Sequence, residues 1–525
     1  MRSAVAPGEV TGRPHADAAG GRSVRERLSV TGAALAAWLR RIPRAGRWCF
    51  LIAFVNAAIW GLVVPPFQVP DEIAHFGYAQ YLAQTGRPPP QGPLPPYSAQ
   101  EQLALENLDF FTVIGRPQMR VILTKAEDRA LRAALATHPS PTGEGGATPS
   151  TNQPPLYYAL EAVPYWLSPS HDILTRLVFM RLLSALLAAC TVLAVFMFLR
   201  ELFPGSPWAW PVGALVVAFQ PTFAFIAAGV QGDNLLFLCS TLTFLMLLRA
   251  YRRGFTKRRA IAIGAVVAAG ALAKLTFIAL LPGIALALLL LGWRTIPEGR
   301  ATALKRVAIA FATAAVPIAI YVVLNAAVWH RGGPTAGGIA GATNSALPTG
   351  GAVTLNQTLD YIWELYLPRL WFMHHTYFTE YPLWSTWLNG SIGHFGWLDY
   401  TFPGWVYTDG RWVLYALAAL ALVGLFRVRR GIRPLVPIFA CFAVMAAGLL
   451  GAIGYTGIRY RLETGYPFEQ ARYIFPLIVF LGVFVVLAAR GVGRRWAPAL
   501  GGAIVVLAMA HGLFAETLTI SRYYG

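Results

Sequence analysis

The stretch PPFQVPDEIAHF at positions 65–76 directly follows the first long apolar segment of the chain. It brings two adjacent carboxylates, Asp71 and Glu72, and a histidine, His75, to the expected edge of a membrane. The prolines end an extended run, and Asp71 is a candidate N-cap for a helix through about Gln84. Because Asp71 and His75 are four residues apart, they share one face of that helix. The stretch therefore fits either a capped interfacial helix or an acidic site at the membrane surface.

The composition predicts a polytopic membrane protein rather than a soluble enzyme. The chain has 525 residues, of which 56% are hydrophobic and 13% are charged, and its mean hydropathy is +0.52. The net charge of +19 does not indicate nucleic-acid binding, because the basic residues form short clusters between apolar segments. All four cysteines lie in or beside apolar segments, so we expect neither a disulfide framework nor a zinc site.

The apolar segments predict an all-α fold with about 11 transmembrane helices, in a range of about 10–13. If the N-terminus is cytoplasmic, the four most basic loops all fall on the cytoplasmic side and the C-terminus lies outside. Two short neighbouring segments leave open a broken hairpin around Lys274. The segments lie at 48–66, 178–199, 208–229, 235–250, 260–273, 276–293, 307–328, 412–426, 434–454, 473–489 and 497–514.

The chain divides into a tail and one membrane domain. Residues 1–47 are basic and rich in small residues, which predicts a mostly disordered cytoplasmic tail, and 48–525 form the transmembrane domain. We expect a multi-pass protein of the cell membrane, with large non-cytoplasmic loops at 67–176 and 329–411. The aromatic piece 156–167 is too short to span comfortably and suits the membrane interface. No signal peptide is expected, because the first apolar run comes late and no small-residue cleavage site follows it.

On this topology the acidic pair and several cations face outside, where ATP and nucleotide sugars are absent. The sequence contains no Walker loop, dinucleotide fingerprint or HExxH pattern. An external transferase needs a donor that arrives with the membrane, such as a lipid-linked phosphate. Transfer from such a donor requires a base for the acceptor hydroxyl and cations for the leaving phosphate, and interfacial carboxylates and arginines can supply both.

Five segments carry a family resemblance: PDEIAHFGYAQYLAQTG (70–86), NQPPLYYAL (152–160), RLLSALLAACTVLAVF (181–196), HFGWLD (394–399) and ARYIFPL (471–477). In this order they resemble a bacterial family of predicted membrane proteins related to the GT-C membrane glycosyltransferases. An Asp-Glu pair after the first membrane helix is similar to the first outer loop of that superfamily. The superfamily includes protein O-mannosyltransferases, lipid A aminoarabinose transferases and mycobacterial arabinosyltransferases.

The resemblance implies a GT-C-like fold, a polyprenyl-phosphate-sugar donor and an envelope glycan, lipid or protein as the non-cytoplasmic acceptor. It implies that Asp71 is the catalytic base and that Glu72 orients the acceptor or a cation. Lys274 and Arg472 match basic positions that lie near the donor phosphate. The family's usual Gly-Arg-Tyr reads ARY at 471–473, which keeps the cation. No resident cofactor is expected, but a divalent cation at Asp71 and Glu72 stays open.

The cations of the candidate site also have simpler interpretations. Lys274 could extend its amine to the lipid headgroups, and Arg472 could form an ion pair with Glu469 or Glu463. Arg181, at the start of an apolar segment, fits donor phosphate binding or interfacial anchoring.

The remaining candidates fall into two groups. His75 could orient the acceptor or simply bond to Asp71, and Asp233 could act in the site or cap a helix together with Asn234. The other acceptor-side candidates are Asn152, Gln153, Asp399 and Trp397, and Tyr473 joins the donor side.

Two further classes of protein remain open. A transporter or flippase of lipid-linked glycans would use the same groove without chemistry, and it predicts charged residues deep in the spans. The ionisable residues instead gather at the outer edge of the predicted segments. A non-catalytic envelope-assembly protein would tolerate replacement of Asp71.

Overall fold

The computed structural model describes residues 42–90, 98–120, 124–142, 150–331, 353–373 and 376–525. Most of the predicted tail and the Gly-rich start of the second large loop lie outside these residues. Most of the described residues are helical. The single small sheet among them pairs β1, His394–Phe395, antiparallel with β2, Tyr400–Thr401, so that His394 faces Thr401. The predicted all-α fold is confirmed.

Nineteen α-helices follow one another along the described chain, and short 3-10 or π turns join several of them. The helices are α1 Arg44–Val63, α2 Glu72–Thr85, α3 Ala99–Asn107, α4 Phe110–Val113, α5 Lys125–Leu135, α6 Leu156–Leu167, α7 Ile173–Leu202, α8 Ala209–Ala218, α9 Pro221–Ala227, α10 Asp233–Arg253, α11 Lys257–Ala273, α12 Leu281–Thr295, α13 Arg300–Val323, α14 Leu355–Tyr366, α15 Asn389–Gly393, α16 Gly404–Ile432, α17 Val436–Thr464, α18 Val479–Gly491 and α19 Ala497–Tyr524.

Among the described residues, 7 helices are long and apolar enough to cross a membrane, or 9 if two bent pairs each form one span. The bent pairs are α8 with α9, at 64°, and the turn Ala471–Leu477 with α18, at 78°. The chain is therefore a multi-pass membrane protein. The 7 helical stretches are Arg44–Val63, Ile173–Leu202, Asp233–Arg253, Leu275–Glu298, Arg300–Val328, Gly404–Leu462 and Ala497–Tyr524.

This count is lower than the predicted one for two reasons. The segments predicted at 412–426 and 434–454 lie on one helical stretch of 59 residues, Gly404–Leu462. At 1.5 Å per residue this stretch is about 89 Å long, whereas the hydrocarbon layer is only ~30 Å thick. The segment predicted at 260–273 lies on α11, whose 17 residues are at the lower limit for spanning. Every predicted segment nevertheless lies mostly on helix.

The helices differ in how deeply the protein buries them. Of the most apolar part of α10, 78% is buried inside the protein, against 17% for the stretch Arg300–Val328. Helix α1 packs against α7, α7 against α10, and α11 against α13. The large exposed side chains of the outer helices, such as Leu304 and Leu507, are apolar, as expected for surfaces that face lipid.

Two features of the chain after α1 position the candidate site. After Val63 the prolines at 65 and 66 prevent the helix from continuing, and the chain returns across the loop between α9 and α10. Gly229 allows this approach, because a Cβ atom there would lie 2.6 Å from Cβ of Val69. The segment before Asp71 is thereby held against the loop that precedes α10.

One buried acid makes the stability of the protein sensitive to pH. Glu161 lies on α6 and has no exposed surface. Its Oε1 accepts a hydrogen bond from Ser184 Oγ at 3.1 Å. Burial raises the pKa of Glu161 from 4.5 to about 8, because the charged form loses its solvation.

We expect the wild-type protein to lose stability as the pH rises from about 4.5 towards about 8, the interval between the ordinary and the raised pKa of Glu161. In this window the unfolded chain releases the proton that the folded protein retains. Between pH 5.5 and pH 8.5, the apparent melting temperature of the variant Glu161→Gln should fall less than that of the wild type. The exposed Glu106→Gln is the matched control and should follow the wild type. Parallel curves for all three proteins would contradict the assignment.

Candidate functional site

Asp71 lies immediately before α2 and has a left-handed backbone, with φ 62°. Only a few per cent of non-glycine residues adopt this region, and Asp is among the residues that tolerate it. The predicted side-chain cap is wrong, because Asp71 makes no capping hydrogen bond. Its Oδ2 instead accepts from Arg472 Nη2 at 2.5 Å. The side chain of Asp71 is 36% exposed and that of Arg472 is 5% exposed, so the carboxylate is the accessible member of the pair.

A second ion pair joins Lys274 to Asp233. Lys274 lies in extended backbone between α11 and the 3-10 turn Leu275–Leu280, at the break that the sequence left open. Its Nζ donates to Oδ1 of Asp233, the first residue of α10, at 2.7 Å. The side chains are 16% and 4% exposed. Lys274 therefore contacts an acid inside the protein and does not extend to the headgroups.

The two ion pairs and His75 form one electrostatic cluster. Burial raises the pKa of Asp71, but the positive charges of Arg472 and Lys274 oppose it and hold that pKa below its usual value. Burial, followed by the charge of Lys274, lowers the pKa of His75 to about 3. Nδ1 of His75 is 2.9 Å from the hydroxyl of Tyr158. At neutral pH the cluster thus presents an ionised Asp71 beside a neutral imidazole.

Several polar atoms of this cluster have no protein partner among the described residues. They are Nε and Nη1 of Arg472 and Oδ2 of Asp233, all of them buried. A buried guanidinium with unused N–H groups is costly unless a ligand meets them. The site therefore has spare donors next to an exposed carboxylate, which suits an anionic group bound beside a hydroxyl.

Glu72 and Arg181 form a separate, fully buried pair. Arg181 donates from Nε to Glu72 Oε1 at 2.8 Å and from Nη2 to Oε2 at 2.6 Å. It also donates to the carbonyl oxygens of Gly61, Val64 and Pro65 at the end of α1. Glu72 has no exposed surface. This pair joins α1, α2 and α7 behind Asp71, and interfacial anchoring does not describe Arg181.

Amide side chains hold the loops of the site together. Gln231 donates through Nε2 to the carbonyl of Pro70, and Asn234 donates to the carbonyl of Gly229 at 3.2 Å. Gln153 accepts at Oε1 from the backbone N–H of Leu275 at 3.1 Å. It thereby supports the break at Lys274.

Asn152, Tyr473 and the two glutamates proposed for Arg472 have the following positions. Asn152 is half-buried in the turn Ser150–Asn152. The ring of Tyr473 stacks on Phe468 at 4.9 Å. Glu469 accepts from the hydroxyl of Tyr361, so the pairing predicted for Glu469 and Arg472 is wrong. The backbone of Glu463 lies in α17.

Asp399 and Trp397 belong to another cluster. Asp399 Oδ2 accepts from Arg522 Nη2, near the end of α19, at 2.8 Å, and both side chains are at most 4% exposed. Arg522 also donates to the carbonyl of Arg116 at 3.0 Å, and Trp397 packs edge-on against Phe110. These contacts join the C-terminal helix to both large loops.

Sequence reasoning overlooked three residues that shape these clusters. Tyr158 contacts His75, Gln231 bonds to Pro70, and Arg522 pairs with Asp399. A signal existed for two of them: Tyr158 is part of the segment at 152–160, and Gln231 precedes Asp233 by two residues. Arg522 stands in the last turn of an apolar helix with no distinguishing neighbour.

Residues 54–481 match the family model described as predicted membrane protein (DUF2142). The chain belongs to this family. The predicted family resemblance is thereby confirmed over most of the chain. A search of curated proteins finds no match.

Solved structures similar to this family member include an archaeal oligosaccharyltransferase, AglB, from Archaeoglobus fulgidus. Its apo form has a TM-score of 0.43 and 11% identity, covering 90% of this chain and 56% of that chain. The complex with an inhibitory peptide and a dolichol-phosphate has a TM-score of 0.45 and 12% identity, covering 92% and 57%. The form tethered to an acceptor peptide has a TM-score of 0.45 and 12% identity, covering 93% and 56%. The chain thus spans little more than half the length of these proteins.

Proposed function

We propose that this protein is a GT-C-type glycosyltransferase that moves a sugar from a polyprenyl-phosphate donor to a cell-envelope acceptor outside the membrane. The observation that carries the proposal is the contact between Asp71 and Arg472. An ionised and accessible carboxylate is bound there to a buried guanidinium, of which two further nitrogens, Nε and Nη1, have no hydrogen-bond partner in the described part of the chain. The combination offers a proton acceptor and an anion-binding donor within one hydrogen bond of each other.

The proposed reaction is a single displacement with inversion at the anomeric carbon. Asp71 accepts the proton of the acceptor hydroxyl while the hydroxyl oxygen of the acceptor forms a bond to the anomeric carbon of the sugar. The bond between the anomeric carbon and the phosphate oxygen breaks, and its electron pair stays on that oxygen. Arg472 and Lys274 stabilise the negative charge that develops on the leaving polyprenyl phosphate. Products are the glycosylated acceptor, the polyprenyl phosphate and protonated Asp71.

The remaining site residues have supporting roles in this proposal. Glu72 and Arg181 position Asp71, because both groups are saturated with protein hydrogen bonds. Asp233 pairs with Lys274, and His75 contributes a neutral imidazole to the cluster. We propose that the two cations serve the leaving group without a divalent ion, since Asp71 and Glu72 face different arginines. Treatment with EDTA is then expected to leave transfer unchanged.

The proposal is tested with purified protein in lipid nanodiscs, radiolabelled polyprenyl-phosphate sugars and a crude envelope acceptor fraction. The wild type should transfer label. Lys274→Gln should weaken donor affinity by about tenfold or more, as expected for loss of a charge-assisted hydrogen bond. The matched control is Lys257→Gln, which removes the same charge at the exposed other end of α11.

Two further arms make the outcome decisive. The double variant Asp233→Asn with Lys274→Gln removes both charges, so no buried carboxylate is left alone. It should fold and still bind the donor weakly. Donor binding by the wild type without transfer, to an acceptor fraction that native membranes do glycosylate, would reject the transferase and favour the flippase.

A further inference from the structure

A further buried arginine, besides Arg472 and Arg181, lies near the candidate site and has no role in the proposed reaction. Arg331 follows α13 and the π turn Leu324–Val328 and is 6% exposed. Its Nη2 donates to the carbonyl of Thr151, and its backbone N–H donates to Asn325 at 2.9 Å. Arg331 is thus fixed at the end of α13 by backbone carbonyls.

The charge of Arg331 has no counter-ion in the described part of the chain. No carboxylate there lies within ion-pair distance of it. Its Nε and Nη1, and the hydroxyl of Thr151 beside it, are buried and have no described hydrogen-bond partner. Burying a charge without a partner is strongly unfavourable. The unused donors of Arg331 and Thr151, called here the anion pocket, are therefore suited to an anion.

Short contacts connect this pocket to the reaction site. Gln153 accepts from the hydroxyl of Tyr78 at 3.2 Å and binds the backbone beside Lys274. Tyr78 interacts electrostatically with Arg331. Its ring also stacks at 3.6 Å on that of Tyr158, the partner of His75. Thr151 and Gln153 are two positions apart along the chain, a reach of at most about 7 Å. Arg331 and Lys274 therefore flank one short segment.

We propose that Arg331 binds a second anionic group of the substrate, distinct from the donor phosphate held by Lys274 and Arg472. The group is a phosphate or carboxylate, carried by a donor with a diphosphate linkage or by an acidic acceptor. The inference rests on the proposed function for the identity of the substrate, but the anion pocket itself is independent of the chemical step.

The test measures binding of undecaprenyl phosphate and undecaprenyl diphosphate to the full-length protein in nanodiscs. For a diphosphate donor, the wild type should bind the diphosphate about tenfold or more tightly than the monophosphate, and Arg331→Gln should abolish the difference. For an acidic acceptor, the two lipids bind alike, and Arg331→Gln raises KM for a phosphate-bearing envelope polymer but not for a neutral one. Arg331→Lys should retain part of either effect.

Arg300→Gln is the control, because Arg300 is exposed at the start of α13, the helix that precedes Arg331. It should leave the lipid affinities and the KM values unchanged. Without ligand, Arg331→Gln should melt at or above the wild-type temperature, because an uncompensated buried charge is removed. A lower melting temperature with unchanged binding and KM would assign Arg331 a structural role and overturn the proposal. A diphosphate preference in a protein that transfers no sugar would sustain the pocket and reject the transferase.

Discussion

Replacing Asp71 with asparagine is expected to slow sugar transfer by about 10²–10⁴-fold, the usual contribution of a general base, and to leave donor binding intact. Asparagine has nearly the same shape and tolerates the left-handed backbone that Asp71 adopts at φ 62°. Its amide oxygen can still accept from Arg472, but it cannot take the acceptor proton. The measurement is single-turnover transfer from a pre-bound labelled donor, compared with donor affinity.

The matched control is Asp109→Asn, since Asp109 is an exposed aspartate that also has a left-handed backbone, at φ 51°. The control should transfer at the wild-type rate. The pH profile gives a second readout: because the pKa of Asp71 is lowered, kcat/KM should stay constant down to about pH 4 and decline only below it. Transfer by Asp71→Asn within threefold of wild type, or loss of donor binding, would remove Asp71 from the role of base.

The membrane fold could be predicted because its signals are local. Apolar length and clusters of basic residues depend on short windows of sequence, and every predicted segment lies mostly on helix. The number of spans was less predictable. Whether α16 and α17 count as two spans depends on the geometry of the 3-10 turn Arg433–Leu435 that joins them, which the sequence of that turn does not determine.

The candidate site could be predicted as residues but not as pairs. Asp71, Asp233, Lys274 and Arg472 were recognised because charges beside apolar segments are conspicuous. Their pairing follows from the fold, since Asp71 and Arg472 are 401 residues apart in sequence. Sequence proximity instead suggested Glu469 for Arg472, whereas that glutamate accepts from Tyr361.

The adjacent carboxylates at 71 and 72 have different environments for a geometric reason. Glu72 is the first residue of α2, whereas Asp71 precedes the helix and has a left-handed backbone, φ 62°. The Asp71 side chain therefore bonds to Arg472 and that of Glu72 to Arg181. Among the described residues, Asp71 is accessible and has one side-chain hydrogen bond, whereas Glu72 is buried and accepts three hydrogen bonds. Composition alone cannot distinguish the environments of two such neighbouring carboxylates.

Replacing Arg181 with methionine is expected to destabilise the protein by about 3–5 kcal/mol, the usual effect of removing one partner of a buried ion pair. Glu72 would be left charged and buried, and the carbonyls of Gly61, Val64 and Pro65 would lose a donor. Equilibrium unfolding in mixed micelles measures the change. The exposed pair of Arg132 and Asp128 supplies the control, because Arg132→Met, with a side chain that is 76% exposed, should leave the free energy of unfolding nearly unchanged.

The double variant Glu72→Gln with Arg181→Met separates charge from packing. Glutamine can still accept from the backbone N–H of Val230, as Glu72 does at 3.0 Å, and no charge remains buried alone. The double variant should therefore recover part of the stability that Arg181→Met loses. Where the folded fraction is matched, Glu72→Gln should retain most of the transfer rate, because Glu72 positions Asp71 and does not take the proton. A folded Glu72→Gln protein as slow as Asp71→Asn would instead make Glu72 part of the chemical step.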